Sequence, residues 1–340
     1  MAKTDKTESP KVAWATPPVS RIDRAGSYLG ISEPTMEKLH LMAKKAHTTW
    51  RIFRKNRLGM AGLIILLAFA VMAILSGPLM SVLAIIGGWD QAWGPFDIDE
   101  SVDKEEDPSS AHWLGTDTYR QDILARIIYG SRVSLLVGLV ATVVSMGLGA
   151  LVGLLSGYWG GVRDEVLMRI TDVFLVIPWL ALMIVFAAVL PGGASVGKVV
   201  LVIGITGWSS TARIVRAQVF SLKERSFIER ARAIGADDFY IVRKHIFPNV
   251  FPLMFANAIL TVALSILSES TLSFIGLGPD PSKVVTWGNM LEEAQLASAI
   301  QQGLYAWVVV PGLMIVFVVL GFTFMGYALD EIFNPKLRKR

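Results

Sequence analysis

Six long apolar segments recur along the 340-residue chain, and each is close to the ~20 residues that a helix needs to cross a bilayer. Hydrophobic residues make up 53% of the chain and charged residues only 18%, against roughly 25% in soluble domains. The pattern predicts an all-α integral membrane protein with six transmembrane helices. The predicted spans are Leu58–Leu75, Val133–Leu155, Ile170–Leu190, Lys198–Val215, Val250–Phe274 and Tyr305–Met325.

Two of these spans carry residues that bear on their packing and shape. The second contains Gly147, Gly149 and Gly153, and small residues let helices approach closely in lipid. The third contains Pro178, but its hydropathy predicts one span from Ile170 to Leu190.

The placement of basic residues predicts the orientation in the membrane. Six spans put both termini on one side. The flank before the first span, the connector with Arg163, the segment 226–249 and the C-terminal tail are all basic and fall together on that side. The loop after the first span is acidic and falls on the other. Because short basic segments stay in the cytoplasm, both termini are predicted to be cytoplasmic.

The basic segment 226–249 lies between the fourth and fifth spans and has its own helix signals. Ser226 and Glu229 have the spacing of a capping box, which predicts a short helix that starts there. Gly235 is suited to the left-handed conformation that ends a helix. Asp237 is then expected to cap a second short helix through Ile246, and Pro248 to close it. The segment is predicted to be two short helices joined at a glycine corner.

No catalytic, metal or cofactor site is evident from the residues. The stretch Gly192–Lys198 resembles a phosphate-binding loop, but Val199 stands where such a loop needs Ser or Thr. The chain has no cysteine, and its four histidines do not have metal-ligand spacing. The net charge of +4 is too small to indicate nucleic-acid binding. We therefore predict a non-catalytic protein without a nucleotide site, metal or cofactor.

Two acidic residues fall inside the predicted spans. Asp172 is near the inner end of the third span, and Glu269 is near the outer end of the fifth. Both are expected to be hydrated or paired close to a membrane interface. A structural anchor is the favoured interpretation, and a role in a gate or pathway is the alternative.

Several motifs resemble those of one transporter family, the second permease subunits of dipeptide and oligopeptide ABC importers. Glu229, Ala231 and Gly235 match the family's E-A-A-x-x-x-G loop, although Arg230 replaces its middle alanine, and Pro248 matches its distal proline. The segment Tyr119–Asp122 departs from the family pattern. The other matching motifs are Leu114–Asp117, Tyr129–Leu135, Leu272–Gly278, Trp287–Met290 and Asn334–Pro335.

The resemblance implies a fold, partners and contact residues. The fold would be that of a type I ABC importer permease. Its partners would be a sister permease in a heterodimer, two ATP-hydrolysing subunits, an extracytoplasmic solute-binding protein and membrane lipid. The cargo would be peptides, with oligosaccharides or nickel as alternatives. The residues implied in ATPase coupling are Glu229, Ala231, Arg232, Gly235, Ala236 and Pro248.

The predicted organisation follows from the spans and the resemblance together. Residues 1–57 form a cytoplasmic tail with a basic amphipathic helix. Residues 58–132 hold the first span and the acidic loop. Residues 133–329 form the permease core with its coupling loop 226–249, and residues 330–340 form a cytoplasmic tail.

Two other classes of membrane protein remain as alternatives. A secondary transporter that works alone would be expected to show internal repeats and ionisable residues at mid-membrane, and neither stands out. A receptor would use the acidic loop as a ligand site.

Overall fold

The computed structural model describes residues 41, 44, 47–89 and 91–333. The chain divides into two units, 1–52 and 53–340. Within the first unit the described residues are helical, and Leu41 and Trp50 are about half exposed. These residues fall in the predicted basic amphipathic helix, whereas the first 40 residues of the predicted cytoplasmic tail and the motif Asn334–Pro335 lie outside the described residues.

The second unit is all-helical over its described residues. Five of its helices are long and apolar enough to cross a membrane, or six if one bent pair counts as a single span. The predicted all-α, multi-span fold is thus confirmed. The helices are α1 Arg57–Ile74, α2 Ser76–Gly87, α3 Ile123–Trp159, α4 Gly161–Val176, α5 Trp179–Val189, α6 Val196–Lys223, α7 Ser226–Ala233, α8 Asp238–Ile241, α9 Phe247–Phe274, α10 Trp287–Leu296 and α11 Tyr305–Phe333.

The third predicted span is not a continuous helix. Its two halves, α4 and α5, meet at Pro178 with a bend of 99°. Proline lacks a backbone N–H and disfavours helical geometry in the residue before it, and Ile177 is accordingly extended at φ −70° and ψ 130°. The prediction of one span through Pro178 was therefore wrong in its geometry.

Several helices also begin or end at residues other than the ends of the predicted apolar spans. The sequence Ser76–Pro78 starts α2 instead of a loop, because the first-turn N–H groups of a helix need no intrahelical acceptor and tolerate a proline. Helix α3 starts at Ile123 because Asp122 caps it, accepting a hydrogen bond of 2.6 Å from the N–H of Ala125. A further helix, α10, lies between the fifth and sixth predicted spans.

Helices α3 and α6 pack along a row of glycines. A Cβ atom at Gly149 would lie 2.6 Å from the carbonyl oxygen of Trp208, and one at Gly153 would lie 2.6 Å from that of Ala212. Only glycine fits where two backbones come this close. The predicted role of these two glycines is confirmed, whereas Gly147 faces open space.

We expect Gly153→Val to destabilise the bundle and Gly147→Val, on the same helix, to leave it intact. Valine at position 153 would overlap the backbone of α6, and overpacking of this kind costs about 1–3 kcal/mol. The measurement is the midpoint of thermal unfolding of each variant in detergent. Equal midpoints for the two variants would contradict the packing of α3 against α6.

Candidate functional site

The predicted glycine corner is present between α7 and α8. We call residues Ser226–Ile246 the corner element. Gly235 has φ +86°, and its N–H donates to the carbonyl oxygen of Arg232 at 2.9 Å. The N–H of Ala236 donates to the carbonyl oxygen of Ala231 at 3.0 Å. This pair of hydrogen bonds is the Schellman motif that ends a helix at a left-handed residue, so the prediction for Gly235 is confirmed.

The caps of the two short helices agree only in part with the sequence prediction. Asp237 caps α8 as predicted, accepting a hydrogen bond of 2.6 Å from the N–H of Tyr240. The predicted capping box at Ser226 is absent, because Arg225 is the N-cap residue and Ser226 already lies in the first helical turn. A capping side chain must come from the extended residue before the helix, and Arg225 has that conformation.

Gly235 divides the corner element into two arms, α7 before it and α8 with the turn that follows after it. The second arm runs directly into the fifth span. Helix α8 continues through a π-helical turn, Val242–Ile246, into α9. Pro248 lies in the first turn of α9 and does not close the preceding helix, so that prediction was wrong. In the π-helical turn the backbone hydrogen bonds join residues one position further apart than in an α-helix. The N–H of Phe247, for example, donates to the carbonyl oxygen of Val242. The missing N–H of Pro248 falls in a first turn, where it is tolerated.

One face of the corner element is buried against the bundle. Ile228, Ala231, Ile241 and Ile246 are buried in one cluster that also contains Val219 of α6. Full burial of an isoleucine side chain stabilises a fold by about 1.5–3 kcal/mol. Ala231 therefore packs inward against the membrane helices, and its methyl group is not offered to a partner.

A tyrosine at the end of α3 joins the corner element to the bundle through polar contacts. Tyr158 is 2% exposed, and its hydroxyl donates to Asp238 Oδ1 at 2.6 Å. Lys223 donates to the carbonyl oxygen of Tyr158 at 2.6 Å. The side chains of Lys223 and Arg232 lie 5.7 and 5.5 Å from the centre of its ring, within cation–π range. Tyr158 thus contacts both arms of the corner element.

The opposite face of the corner element is exposed and partly apolar. Ile234, Phe239 and Tyr240 are 86%, 68% and 50% exposed. Such a concentration of exposed large apolar side chains is typical of a contact surface. The predicted residues Glu229, Arg232, Gly235 and Pro248 are exposed as well, Ala236 is half-buried, and basic Arg230, Arg243 and Lys244 surround them.

The other end of the bundle is organised by the motif Leu114–Asp117. The Oδ1 atom of Asp117 accepts hydrogen bonds from the N–H groups of Tyr119 and Gln121 at 2.8 and 2.9 Å. Its Oδ2 atom is paired with the buried guanidinium of Arg126, which also lies 2.6 Å from Glu293 Oε2 of α10. The motif therefore fixes the acidic loop to α3 and to α10.

The segment that departs from the family pattern adopts an unusual backbone conformation. Arg120 has φ +61°, in the left-handed region that favours glycine. Arginine is less suited to this conformation than glycine would be.

Comparison with known proteins agrees with these motifs. The family model for "Binding-protein-dependent transport system inner membrane component" matches residues 149–339, which is more than half of the chain. The model for the "N-terminal TM domain of oligopeptide transport permease C" matches residues 46–108. The chain belongs to this family. It is a multi-pass permease subunit of the inner membrane, as predicted.

The permease is similar to several curated peptide permeases along most of its length. It is 34% identical to the dipeptide transport system permease protein DppC of Bacillus subtilis over 85% of each chain. It is 34% identical to the glutathione transport system permease protein GsiD of Pectobacterium atrosepticum over 87% of this chain and 94% of that one. It is 33% identical to the oligopeptide transport system permease protein OppC of Bacillus subtilis over 88% and 93%.

Among solved structures, the permease aligns with a chain of the inward-facing MetNI methionine ABC transporter. The alignment covers 63% of this chain and 97% of that one at 17% identity and a TM-score of 0.48.

The two acidic residues within the spans have different surroundings. Asp172 pairs with Arg213 of α6 at 2.5 Å, and both side chains are about half exposed, as predicted for an interface residue. Glu269 is fully buried and accepts a hydrogen bond of 2.8 Å from Ser273. Its other partners include the hydroxyl of Ser134, at 3.4 Å. Glu269 is therefore not hydrated, as one of the two expectations had it, but is hydrogen-bonded between α3 and α9.

The acidic loop of the permease contains a buried histidine between two carboxylates. His112 Nδ1 lies 2.8 Å from Asp122 Oδ2, and its Nε2 lies 3.3 Å from Asp99 Oδ2. Burial alone lowers the pKa of His112, but the hydrogen bond and charge of Asp122, supported by Asp99, outweigh burial and raise the pKa above its usual value. Within the described residues no group of three such side chains is arranged to hold a metal ion.

The contact between Tyr158 and Asp238, which are 80 residues apart, was not predicted from the sequence. An aromatic residue at the end of an apolar span is typical of a membrane-interface residue, so Tyr158 gave no signal of a specific contact. Arg126, Asp117 and Glu293 were also missed as a group. They come from three separate segments, and only their polar character near apolar spans could have drawn attention to them.

We expect Tyr158→Phe to loosen the corner element without unfolding the bundle. Loss of one buried hydrogen bond costs about 1 kcal/mol, which corresponds to about fivefold faster hydrogen exchange at the amides of Gly235 and Ala236 if these open locally. Tyr327→Phe, at an exposed position of α11, is the control and should leave these rates unchanged. Unchanged exchange in both variants would contradict the proposed anchoring.

We expect the acidic loop to lose stability as the pH rises. A histidine whose pKa is raised on folding stabilises the fold fully below its unfolded pKa of about 6.5, and this contribution disappears as the pH passes the raised folded pKa. Thermal unfolding midpoints of the wild type, measured from mildly acidic to mildly alkaline pH, should fall across that range. His112→Gln should lack this fall, and a flat wild-type profile would refute the expectation.

Proposed function

We propose that this permease is the second membrane subunit of an ATP-binding-cassette importer for peptides, with a type I importer permease fold. It would form half of the pathway beside a sister permease in a heterodimer, with two ATPase subunits at the corner element and a solute-binding protein at the opposite end. The corner element carries this proposal, because one of its faces is buried against the bundle and held by Tyr158 while Ile234, Phe239 and Tyr240 are exposed.

The exposed face of the corner element suits an ATPase surface. Ile234, Phe239 and Tyr240 would supply the apolar centre of the contact. The surrounding basic residues would pair with acidic groups on the ATPase. In this proposal Gly235 sets the angle of the corner, and Glu229 and Arg232 lie at the rim. Ala231 supports the contact from beneath.

The connections of the corner element would transmit ATPase motion to the membrane helices. The arm after Gly235 is continuous with α9, so displacement of the corner would tilt a membrane span. Tyr158 would pass the same displacement to α3. Helix α6 is linked in turn to α4 by two hydrogen bonds of 2.6 Å from Arg216 to Asp164. Bidentate pairs of this kind hold a defined orientation.

The proposed orientation follows the basic residues. The corner element would be in the cytoplasm with both termini, because four basic segments fall on that side. The acidic loop and the segment around Trp287 would then be outside, where the solute-binding protein docks. The curated relatives are named for dipeptides, glutathione and oligopeptides, which supports peptides as the cargo. Oligosaccharides and nickel are the remaining alternatives.

We expect Gly235→Val to abolish most peptide-stimulated ATP hydrolysis by the assembled transporter, while Gly235→Asn retains it. The left-handed conformation costs an ordinary residue about 1–2 kcal/mol and is tolerated by asparagine. A Cβ at Gly235 would meet nothing within 4 Å, so the effect arises from the backbone and membrane insertion should be normal. Full coupling in the valine variant would refute a role for the corner.

The proposed assembly is tested by purification and uptake. The tagged permease should co-purify with a sister permease and two ATPase subunits, and proteoliposomes of the complex should take up labelled trialanine with ATP and binding protein. Uptake by the permease alone, driven by an ion gradient, would instead identify a secondary transporter. Uptake of maltotriose or nickel without uptake of peptides would change the cargo and leave the proposed subunit role intact.

A further inference from the structure

A cavity of about 490 Å³ opens at the break of the third span. Its walls come from α3, α6, α9 and the residues around Pro178. Ser145 lies near the middle of α3, and Thr206 and Thr211 lie near the middle of α6, so the cavity is about halfway along these two helices. Its volume is within the range of sites for small ligands, about 300–1,000 Å³.

The break supplies backbone groups that a continuous helix would have used internally. Residues 174–179 line the cavity, and among them Ile177 is extended and Pro178 has no N–H. Irregular backbone at membrane depth is tolerated where it lines a cavity or is buried in protein, because lipid offers no hydrogen bonds. Broken helices of this kind are typical of transporter sites.

A buried hydroxyl without a partner faces the cavity. Ser145 is 1% exposed, lines the cavity and has no hydrogen-bond partner on its Oγ atom within the described part of the chain. A Cβ at Gly207 would lie 3.0 Å from this oxygen, so α6 packs closely against the serine. Buried hydroxyls are nearly always hydrogen-bonded, so an unpaired one in the lining of a cavity indicates a place for a polar ligand or water.

The polar groups of the cavity are uncharged hydroxyls and one amide. Asn257 donates to Thr211 Oγ1 at 3.3 Å, and Trp179 donates to Thr206 Oγ1 at 3.2 Å, which places an aromatic wall beside the hydroxyls. Among the described residues, none that lines the cavity is acidic or basic. Each hydroxyl and the amide can both donate and accept hydrogen bonds.

We infer that this cavity is a substrate subsite that binds the main chain of a peptide. This inference rests on the proposed peptide import. The alternating N–H and C=O groups of a peptide match groups that both donate and accept, and the lining includes a serine, Ser145, whose hydroxyl is unpaired. Because the lining is uncharged, the subsite has no means to select for a charged side chain. It therefore accepts peptides of different sequence.

The absence of cysteine from the chain permits a direct test of occupancy. Ser210 is exposed and lines the cavity, whereas Ser221 is exposed on the same helix α6 away from it. Ser210→Cys and Ser221→Cys would be labelled with a small maleimide in membranes that contain the whole transporter. The binding protein is present and the nucleotide bound to the ATPase subunits is the same in every sample. Trialanine at ten times its dissociation constant should slow labelling at position 210 about tenfold by mass action and leave position 221 unchanged.

Further peptides and a variant test what the subsite recognises. Tripeptides with a central Lys or Glu should protect position 210 as well as trialanine does, and maltotriose should not. Asn257→Leu, in an otherwise wild-type transporter, should raise the KM for trialanine uptake about fivefold, the loss expected for one hydrogen bond. Peptide-independent ATP hydrolysis shows whether that variant is assembled.

The outcomes separate this inference from the proposed function. If the transporter takes up trialanine but position 210 is labelled equally with and without it, the subsite is refuted and the function stands. If maltotriose protects and tripeptides do not, the main-chain inference is refuted. If the wild type takes up no peptide at all, the proposed cargo itself fails.

Discussion

The close contact of α3 with α6 is the interaction on which the rest of the permease depends. In lipid there is no hydrophobic drive between helices, so packing must come from backbone approach at small residues. Gly149 and Gly153 permit that approach, and the row continues at Gly157 beside Val219. Tyr158 follows immediately and anchors the corner element. The glycine row that lets α3 pack against α6 therefore also positions Tyr158, and through it the corner element.

Pro178 introduces an interruption of a membrane span, which the membrane environment penalises. A broken span leaves backbone groups that lipid cannot satisfy, and the structure places them beside a cavity lined with hydroxyls. The broken half-span remains tied to α6 by Arg213 and Arg216 through their ion pairs with Asp172 and Asp164. These salt bridges join α6 to the half-span whose C-terminal end lines the cavity.

The two ends of the bundle differ in the side chains that they expose and bury. At the corner element, apolar side chains are left exposed and the backbone is fixed by capping hydrogen bonds. At the acidic loop, charges are buried and compensated, with Arg126 between Asp117 and Glu293 and with His112 between two carboxylates. Removing one partner from such a buried group leaves an uncompensated charge, which is strongly destabilising. The first end is suited to transient contact and the second to a rigid platform.

The sequence by itself determined the helical class, the number of apolar segments, the glycine corner at Gly235 and the cap at Asp237, since these depend on hydropathy and on local backbone preferences. It did not determine the bend at Pro178, the inward face of Ala231 or the burial of Glu269. Nor did it reveal that Tyr158 meets Asp238 or that Ser145 faces a cavity. Apart from the bend, which arises at Pro178 itself, those features depend on which faces of distant helices meet, and a single chain's local pattern does not encode that pairing. Only the tertiary structure decided them, because helix packing brings together side chains far apart in the sequence.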